Sequence, residues 1–137
     1  MSDQNLVKQW FRIANSDLKI ARRCLAEADD GVWVNTEPEI ACFHCQQAVE
    51  KALKGFLVFY EIDPPKIHDL KVLCEMAIPY EPMFEQFLGV CSDIMLYAVR
   101  TRYPDDVFII DDETANQAIV DAQTIFDFCK TRVNPVS

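Results

Sequence analysis

Apolar residues recur every three or four positions along most of the chain, which is the spacing that gathers side chains on one face of an α-helix. The first such segment extends from Leu6 to Ala28 and ends at an Asp-Asp-Gly turn. A second segment begins near Glu37 and Pro38, where proline suits the first helical turn, and extends to about Tyr60. The Asp-Pro-Pro sequence that follows cannot continue a helix. The pattern therefore predicts two long helices in the first half of the chain.

Three further helical segments are predicted in the second half. A short helix spans about Asp69–Met76, and a fourth helix spans roughly Pro82–Val99. A final helix starts between Asp111 and Thr114, where acidic residues suit the positive helix end, and continues through Cys129. Residues 1–137 are thus predicted to form a single all-α domain, an up-and-down bundle of four main helices plus one short helix.

The second helix carries the most informative pattern. One side is apolar and consists of Ala41, Cys45, Ala48, Ala52, Phe56 and Phe59, and the other side consists of His44, Gln46, Gln47, Glu50, Lys51 and Lys54. Glu50 and Lys54 are four positions apart, which suits a helix-stabilising ion pair on a solvated face. Alternatively, Lys51 and Lys54 contact an anion across a groove. Both interpretations place these lysines on the exposed side of the helix.

Charge and composition exclude several classes of function. The 137 residues are 50% hydrophobic, enough to bury a substantial core, yet the net charge is -9 and the pI is near 4.6. Such an acidic chain has no broad electrostatic attraction for nucleic acid, so any RNA or nucleotide contact must be local. With three glycines and no glycine-rich loop, the sequence contains neither a P-loop nor a dinucleotide fingerprint. No cofactor is expected.

The cysteines and the N-terminus indicate the compartment. The N-terminal residues lack the basic start and apolar run of a signal peptide, and no uninterrupted apolar run reaches the roughly 18 residues that cross a membrane. We therefore expect a cytoplasmic protein with reduced, mostly buried cysteines. The Cys42-x-His44-Cys45 segment resembles half of a zinc site, but a second ligand pair is missing. No metal is expected.

Three polar residues are predicted to have structural roles. Asp17 lies close to the apolar stripe of the first helix, where an unpaired carboxylate would be costly, so we expect it to brace the interior through a cationic partner. The candidate partners are Lys51, Lys54 and Arg102. A catalytic base or metal ligand is the less favoured interpretation of Asp17. Asp69 is placed to cap the short helix, and His68 to anchor the loop before it.

Four groups of residues occur together and in order along the chain. They are Trp10 with Ala14-x-x-Asp17-Leu18-x-x-Ala21, then Gln46-Gln47-Ala48-x-Glu50-Lys51-Ala52-x-Lys54, then His68-Asp69-Leu70, and finally Tyr97 with Arg102-Tyr103-Pro104-Asp105. With this set, the chain resembles the HEPN family over nearly its whole length.

The resemblance implies a helical bundle that forms a homodimer, in a family linked to nucleotide binding, RNA cleavage and toxin-antitoxin systems. Stand-alone members are often encoded beside a minimal nucleotidyltransferase. Ribonuclease members carry an Arg-x(4–6)-His motif, whose residues from two subunits cleave RNA using its own 2′-hydroxyl. Here Arg100 and Arg102 occupy the matching region, but residues 104–108 read Pro-Asp-Asp-Val-Phe, and no histidine follows His68. The usual group for proton transfer near neutral pH is therefore missing.

Our first hypothesis is a non-catalytic HEPN homodimer that binds a minimal nucleotidyltransferase, a nucleotide, or both. Its ligand-binding residues are predicted to be Lys51, Lys54, Arg100, Arg102 and Tyr103, because arginine forks suit phosphate and an aromatic face suits a base. Pro104 and Asp105 then have structural roles, in which the proline turns the chain and the carboxylate pairs with the neighbouring arginine.

The alternative hypothesis is a divergent, metal-independent ribonuclease that acts at a dimer interface. It would use Arg102 together with Tyr97 or Tyr103. A third hypothesis, a purely structural interaction module, predicts that neither nucleotide nor RNA is bound. For the dimer interface we expect the fourth helix, with Phe84, Phe87 and Met95 at the surface.

Overall fold

The computed structural model describes residues 3–26, 31–98 and 110–133, together with the backbone of residues 99 and 100 at the end of a helix. These residues form five α-helices, and the all-α prediction is confirmed. The helices are α1 (Gln4–Arg23), α2 (Pro38–Phe59), α3 (Leu70–Ala77), α4 (Leu88–Arg100) and α5 (Asp112–Val133), with a 3₁₀ helix over Pro82–Phe87 before α4. In the described parts of the chain, no helix combines the length and apolar character that crossing a bilayer requires.

Helix α1 begins at a side-chain cap and ends earlier than the sequence pattern predicts. The Asp3 carboxylate accepts a hydrogen bond of 3.0 Å from the backbone N–H of Leu6, which caps the first turn. The helix ends at Arg23, and the next carbonyl, of Cys24, accepts a 2.8 Å hydrogen bond from the N–H of Glu37. The predicted end at Ala28 was therefore wrong, because a contact with the chain entering α2 replaces the next helical turn. Ala28 itself lies outside the described residues.

Helix α2 is the centre of the bundle and contacts all four other helices. Its apolar face is buried as predicted except for Phe59, which is half-buried, and burial continues around the helix to include Gln46, Glu50 and Lys54. The expectation of an exposed polar side was therefore wrong for these three residues. The N-terminal half of α1 packs on the C-terminal half of α2, so the two helices are antiparallel.

A glycine allows α1 and α2 to approach closely. A Cβ placed on Gly55 would lie 2.8 Å from Cε2 of Phe11 and 3.1 Å from Cβ of Trp10. The first distance is shorter than real Cβ contacts, so any larger residue at this position would push the helices apart. The close spacing of α1 and α2 thus depends on glycine at position 55, which has no Cβ.

The segment predicted as a fourth helix has two parts. Pro82–Phe87 forms a 3₁₀ helix and only Leu88–Arg100 is α-helical. Phe84 and Phe87 are buried, and both rings make edge-to-face contacts with Phe128 of α5. The expectation that these phenylalanines form a surface for dimerisation was therefore wrong, because the monomer core already uses them.

Candidate functional site

A row of three buried polar side chains lies on α2. Gln46, Glu50 and Lys54 are four residues apart, so they stack along one line of the helix. Their exposed fractions are 5%, 2% and 6%, which is unusual for such residues unless they are paired. The loop before α3 covers this row, and its His68 supplies the partner groups described next.

Glu50 is the centre of the network because its two carboxylate oxygens have different partners. One oxygen, Oε2, lies 3.1 Å from Nζ of Lys54, and the other, Oε1, lies 3.0 Å from Nδ1 of His68. A carboxylate oxygen accepts hydrogen bonds, so the tautomer with hydrogen on Nδ1 of His68 fits this contact and donates the hydrogen bond to Oε1. The backbone carbonyl of His68 accepts a further bond of 2.9 Å from Nε2 of Gln46. The loop before α3 is therefore attached to α2 at two points.

The network continues towards the surface through two further residues of α2. Nε2 of Gln47 donates to Oε1 of Gln46 at 3.0 Å, and Nζ of Lys51 donates to Oε1 of Gln47 at 2.7 Å. Gln47 and Lys51 are both half-buried. Of the two lysines in the network, Lys51 is therefore the more exposed. The sequence prediction of an accessible cation fits Lys51 better than Lys54.

Asp17 has a different partner from those that the sequence suggested. Its Oδ1 lies 2.9 Å from Nδ1 of His44, and both side chains are half-buried between α1 and α2. Lys51 and Lys54 bond other groups, so the expectation that either would pair with Asp17 was wrong. The brace across the two helices is therefore an imidazole-carboxylate pair.

The indole of Trp10 covers the other end of the polar row. Nζ of Lys54 lies 5.9 Å from the centre of the Trp10 ring, within the range of a cation-π interaction. Indole Nε1 is buried and has no hydrogen-bond partner among the described residues. Both residues line a cavity of about 220 Å³, which is also bordered by Leu6, Asp63 and Lys66. A slightly larger cavity of about 250 Å³ near the start of α1 is bordered by three carboxylates, of Asp3, Glu61 and Asp63, and does not suit an anion.

The arrangement stabilises structure more than it prepares a reaction. Each carboxylate and imidazole of the network already has a partner, and the described residues include no group of three potential metal ligands. Cys42 and Cys45 are fully buried, and burial raises the pKa of the Cys42 thiol to about 12. Such buried thiols are poor nucleophiles at neutral pH.

The HEPN domain family model matches residues 7–132, which includes all five helices and the network on α2. The chain belongs to the HEPN family.

Two solved structures are similar to this chain over nearly its whole length, and one of them is described as a HEPN homologue. This HEPN domain has 27% sequence identity and a TM-score of 0.68 to a crystal structure of ST0689, an archaeal HEPN homologue, with 93% of this chain and 98% of that chain covered. It has 25% identity and a TM-score of 0.73 to the crystal structure of TT1696 from Thermus thermophilus, with 94% and 99% covered. A search of curated proteins finds no match.

The residues that match the ribonuclease region of the family fall largely outside the described parts of this HEPN domain. Arg102, Tyr103, Pro104 and Asp105 all lie there, and only the backbone of Arg100 is described, as the last residue of α4. Their predicted roles remain predictions.

Tyr97 lies one turn before the end of α4 and is half-buried. Burial, followed by the nearby Asp93 carboxylate, raises the pKa of its phenol above the usual value. Less of the phenolate is therefore present than for an ordinary tyrosine, which makes Tyr97 a less favourable general base.

Two polar residues of α2 had no partner in the sequence prediction. Gln46 and His44 both appeared as surface residues, yet one holds the His68 carbonyl and the other holds Asp17. The sequence does predict that α2 is a central helix covered around much of its circumference, because Phe43, Leu57 and Val58 lie on its polar side. Large apolar residues on a nominally polar face indicate that neighbouring elements cover that face.

Proposed function

We propose that this HEPN protein acts by recognition and has no ribonuclease activity. In this proposal it is a cytoplasmic homodimer that binds a minimal nucleotidyltransferase, a nucleotide, or both, in a system of the toxin-antitoxin type. Arg100, Arg102 and Tyr103 form the ligand-binding region, and Lys51 contributes from α2. Lys54 does not contact the ligand in this proposal, because its ammonium group is buried beside Glu50.

The observation that carries this proposal is where the two histidines lie and which groups they bond. The chain has only two, and each one bonds a carboxylate through Nδ1, His44 with Asp17 and His68 with Glu50. Neither follows the arginines of the motif region in sequence. No imidazole is thus left at the position that the family's ribonucleases use for proton transfer, while the arginines suited to binding an anion are retained.

Nucleotide titration and co-purification test the two binding partners. We expect calorimetry with adenine and guanine nucleotides to detect binding that Arg102→Ala abolishes, or the protein to co-purify from its native host with a nucleotidyltransferase. Lys71→Ala is the matched control, because Lys71 is exposed on α3 and is not among the proposed ligand-binding residues. If neither nucleotide nor nucleotidyltransferase binds, recognition of these partners is excluded.

Light scattering tests the homodimer separately. We expect the mass of two chains at micromolar concentration, whereas a monomer would contradict the proposed assembly without affecting the binding measurements.

The divergent ribonuclease with Arg102 and Tyr97 or Tyr103 is the competing function. The raised pKa of the Tyr97 phenol disfavours the version with Tyr97, because less of the phenolate is present to accept the proton of the attacking hydroxyl.

A further inference from the structure

Helix α1 carries a positive charge that the rest of the chain opposes. It holds five of the 13 basic residues and one of the 22 acidic residues, so α1 is net +4 and the remainder of the chain is net -13. Lys8, Arg12, Lys19 and Arg23 are spaced by four, seven and four residues, which places them on one side of the helix. All four are exposed, and among the described residues none of them pairs with a carboxylate. We call these four residues the basic ridge.

An exposed apolar stripe follows the same helix. Leu6, Ile13 and Ile20 are spaced by seven residues, and they remain 42%, 37% and 37% exposed although the buried face of α1 is already filled by other side chains. Repeats of seven are the spacing with which one helix contacts a second helix along a continuous line. The neutral residues Gln9 and Ser16 lie between this apolar stripe and the basic ridge. The outer face of α1 therefore offers a contact line for a helix and, beside it, a row of positive charge.

The chemistry of this face distinguishes between possible occupants. A nucleic acid would use the basic ridge but gain little from three aliphatic side chains, since bases bind by stacking on aromatic rings. A membrane surface would require an apolar face broad enough to insert, and the broad face of α1 is packed against α2. In a symmetric pair of identical chains, the same basic ridge would face itself and repel.

We propose that the outer face of α1 is a docking surface for an acidic, amphipathic helix of a partner protein. Apolar residues of the partner, repeated every seven positions, contact Leu6, Ile13 and Ile20, and its flanking carboxylates face the basic ridge. This inference rests on the proposed function in one respect, which is that the protein acts by recognising another protein. It adds the surface and the chemical character of the partner.

Titration with designed peptides tests this surface. The probe is a helical peptide of about three heptads with leucine along its contact line and glutamate on both flanks. We expect calorimetry to detect its binding to the full-length protein, and the affinity to fall with rising salt concentration. A peptide of identical length and leucine pattern, with lysine in place of glutamate, should bind at least about tenfold more weakly.

Charge-reversal variants locate the binding site on the protein. Arg12→Glu combined with Lys19→Glu should weaken binding of the acidic peptide by about tenfold or more, and Ile13→Ser should weaken it with unchanged salt dependence. The matched control compares two single variants: Lys71→Glu makes the same change in net charge as Lys19→Glu, but on an exposed residue of α3, and should leave binding unchanged. Circular dichroism checks that every variant retains its helix content.

Three results would overturn the inference. One is equal binding of the acidic and basic peptides, or equal effects of Lys19→Glu and Lys71→Glu. Another is binding of single-stranded RNA or of phosphatidylserine vesicles that depends on the basic ridge while the acidic peptide does not bind. The third is loss of self-association in Arg12→Glu/Lys19→Glu, which would assign the face to a second copy. None of these results affects the nucleotide titrations, so failure of the surface and failure of the proposed function are distinguishable.

Discussion

Nδ1 of His68 lies 3.0 Å from Oε1 of Glu50, although the His68 side chain is 79% exposed and the Glu50 side chain only 3%. The pair connects the surface of the loop before α3 to the middle of the central helix. Because the second oxygen of Glu50 bonds the buried ammonium group of Lys54, the carboxylate is shared between an exposed partner and a buried one. Loss of the Glu50 carboxylate should therefore affect the buried Lys54 much more than the exposed His68.

Removal of Glu50 should destabilise the protein strongly. In Glu50→Ala the Lys54 ammonium group stays buried without an anionic partner, and we expect the free energy of unfolding to fall by about 3–5 kcal/mol. His68→Ala removes only the exposed partner and should cost less than about 1 kcal/mol. Urea denaturation measures both values. Equal losses would mean that Glu50 does not hold the buried lysine.

Gly55 should tolerate no side chain. The Cβ of alanine at this position meets the Phe11 ring at 2.8 Å, so Gly55→Ala should lower the free energy of unfolding by about 1–3 kcal/mol. Gly89 is the matched control, since it also lies within a helix and an added Cβ there has no neighbour within 4 Å. Gly89→Ala should therefore leave stability unchanged or raise it by about 0.5–1 kcal/mol. If both variants have the same effect on thermal denaturation, the close approach of α1 and α2 does not require glycine at position 55.

The six cysteines should differ in their reactivity with alkylating reagents. Cys24 is half-buried, and the other five are fully enclosed in the core. Burial raises the pKa of the Cys42 thiol to about 12, so almost none of it is the reactive thiolate at neutral pH. Mass spectrometry after brief iodoacetamide treatment should show one modified site, Cys24, in the native protein and six after unfolding in urea. Rapid native labelling of Cys42 would contradict the packing of α2.

Asp111 should stabilise α5 in a manner that depends on pH. Its Oδ1 accepts a 2.7 Å hydrogen bond from the N–H of Thr114, and bonds from Thr114 hold the pKa of this carboxyl below its usual value. A depressed pKa in the folded state gives stability that is present above the unfolded-state pKa and is lost as the pH falls through the folded-state pKa. The urea midpoint of Asp111→Ala should thus lie below that of wild type at neutral pH and approach it in acid. Asp111→Asn keeps an acceptor without a charge, so its difference from Asp111→Ala should not disappear in acid.

The fold follows from the sequence where local signals and core packing agree. Pro38 marks the start of α2, Asp69 caps α3 by accepting from the N–H of Val72 at 3.1 Å, and the apolar periodicity identifies each long helix. The end of α1 was missed because the Glu37 N–H, from a distant part of the sequence, binds the Cys24 carbonyl. Periodicity describes one helix at a time and does not include such a contact.

The polar network was predicted only in part, for a similar reason. The spacing of Glu50 and Lys54 indicates an ion pair, and that pair forms, but nothing local shows that a loop fourteen or more residues later covers it. The same limit applies to Asp17, whose partner His44 comes from the opposite helix. Which side of a central helix faces solvent depends on the whole bundle, so the burial of Lys54 required the structure.

Incubation of the purified protein with structured and single-stranded RNA tests the absence of catalysis most directly. We expect the RNA to stay as intact as in a protein-free control, at mildly acidic, neutral and mildly alkaline pH and with or without magnesium, because no histidine follows Arg102 and the two histidines of the chain lie earlier, in α2 and in the loop before α3. Cleavage by the wild-type protein that disappears in Arg102→Ala would contradict this expectation and establish the protein as a ribonuclease.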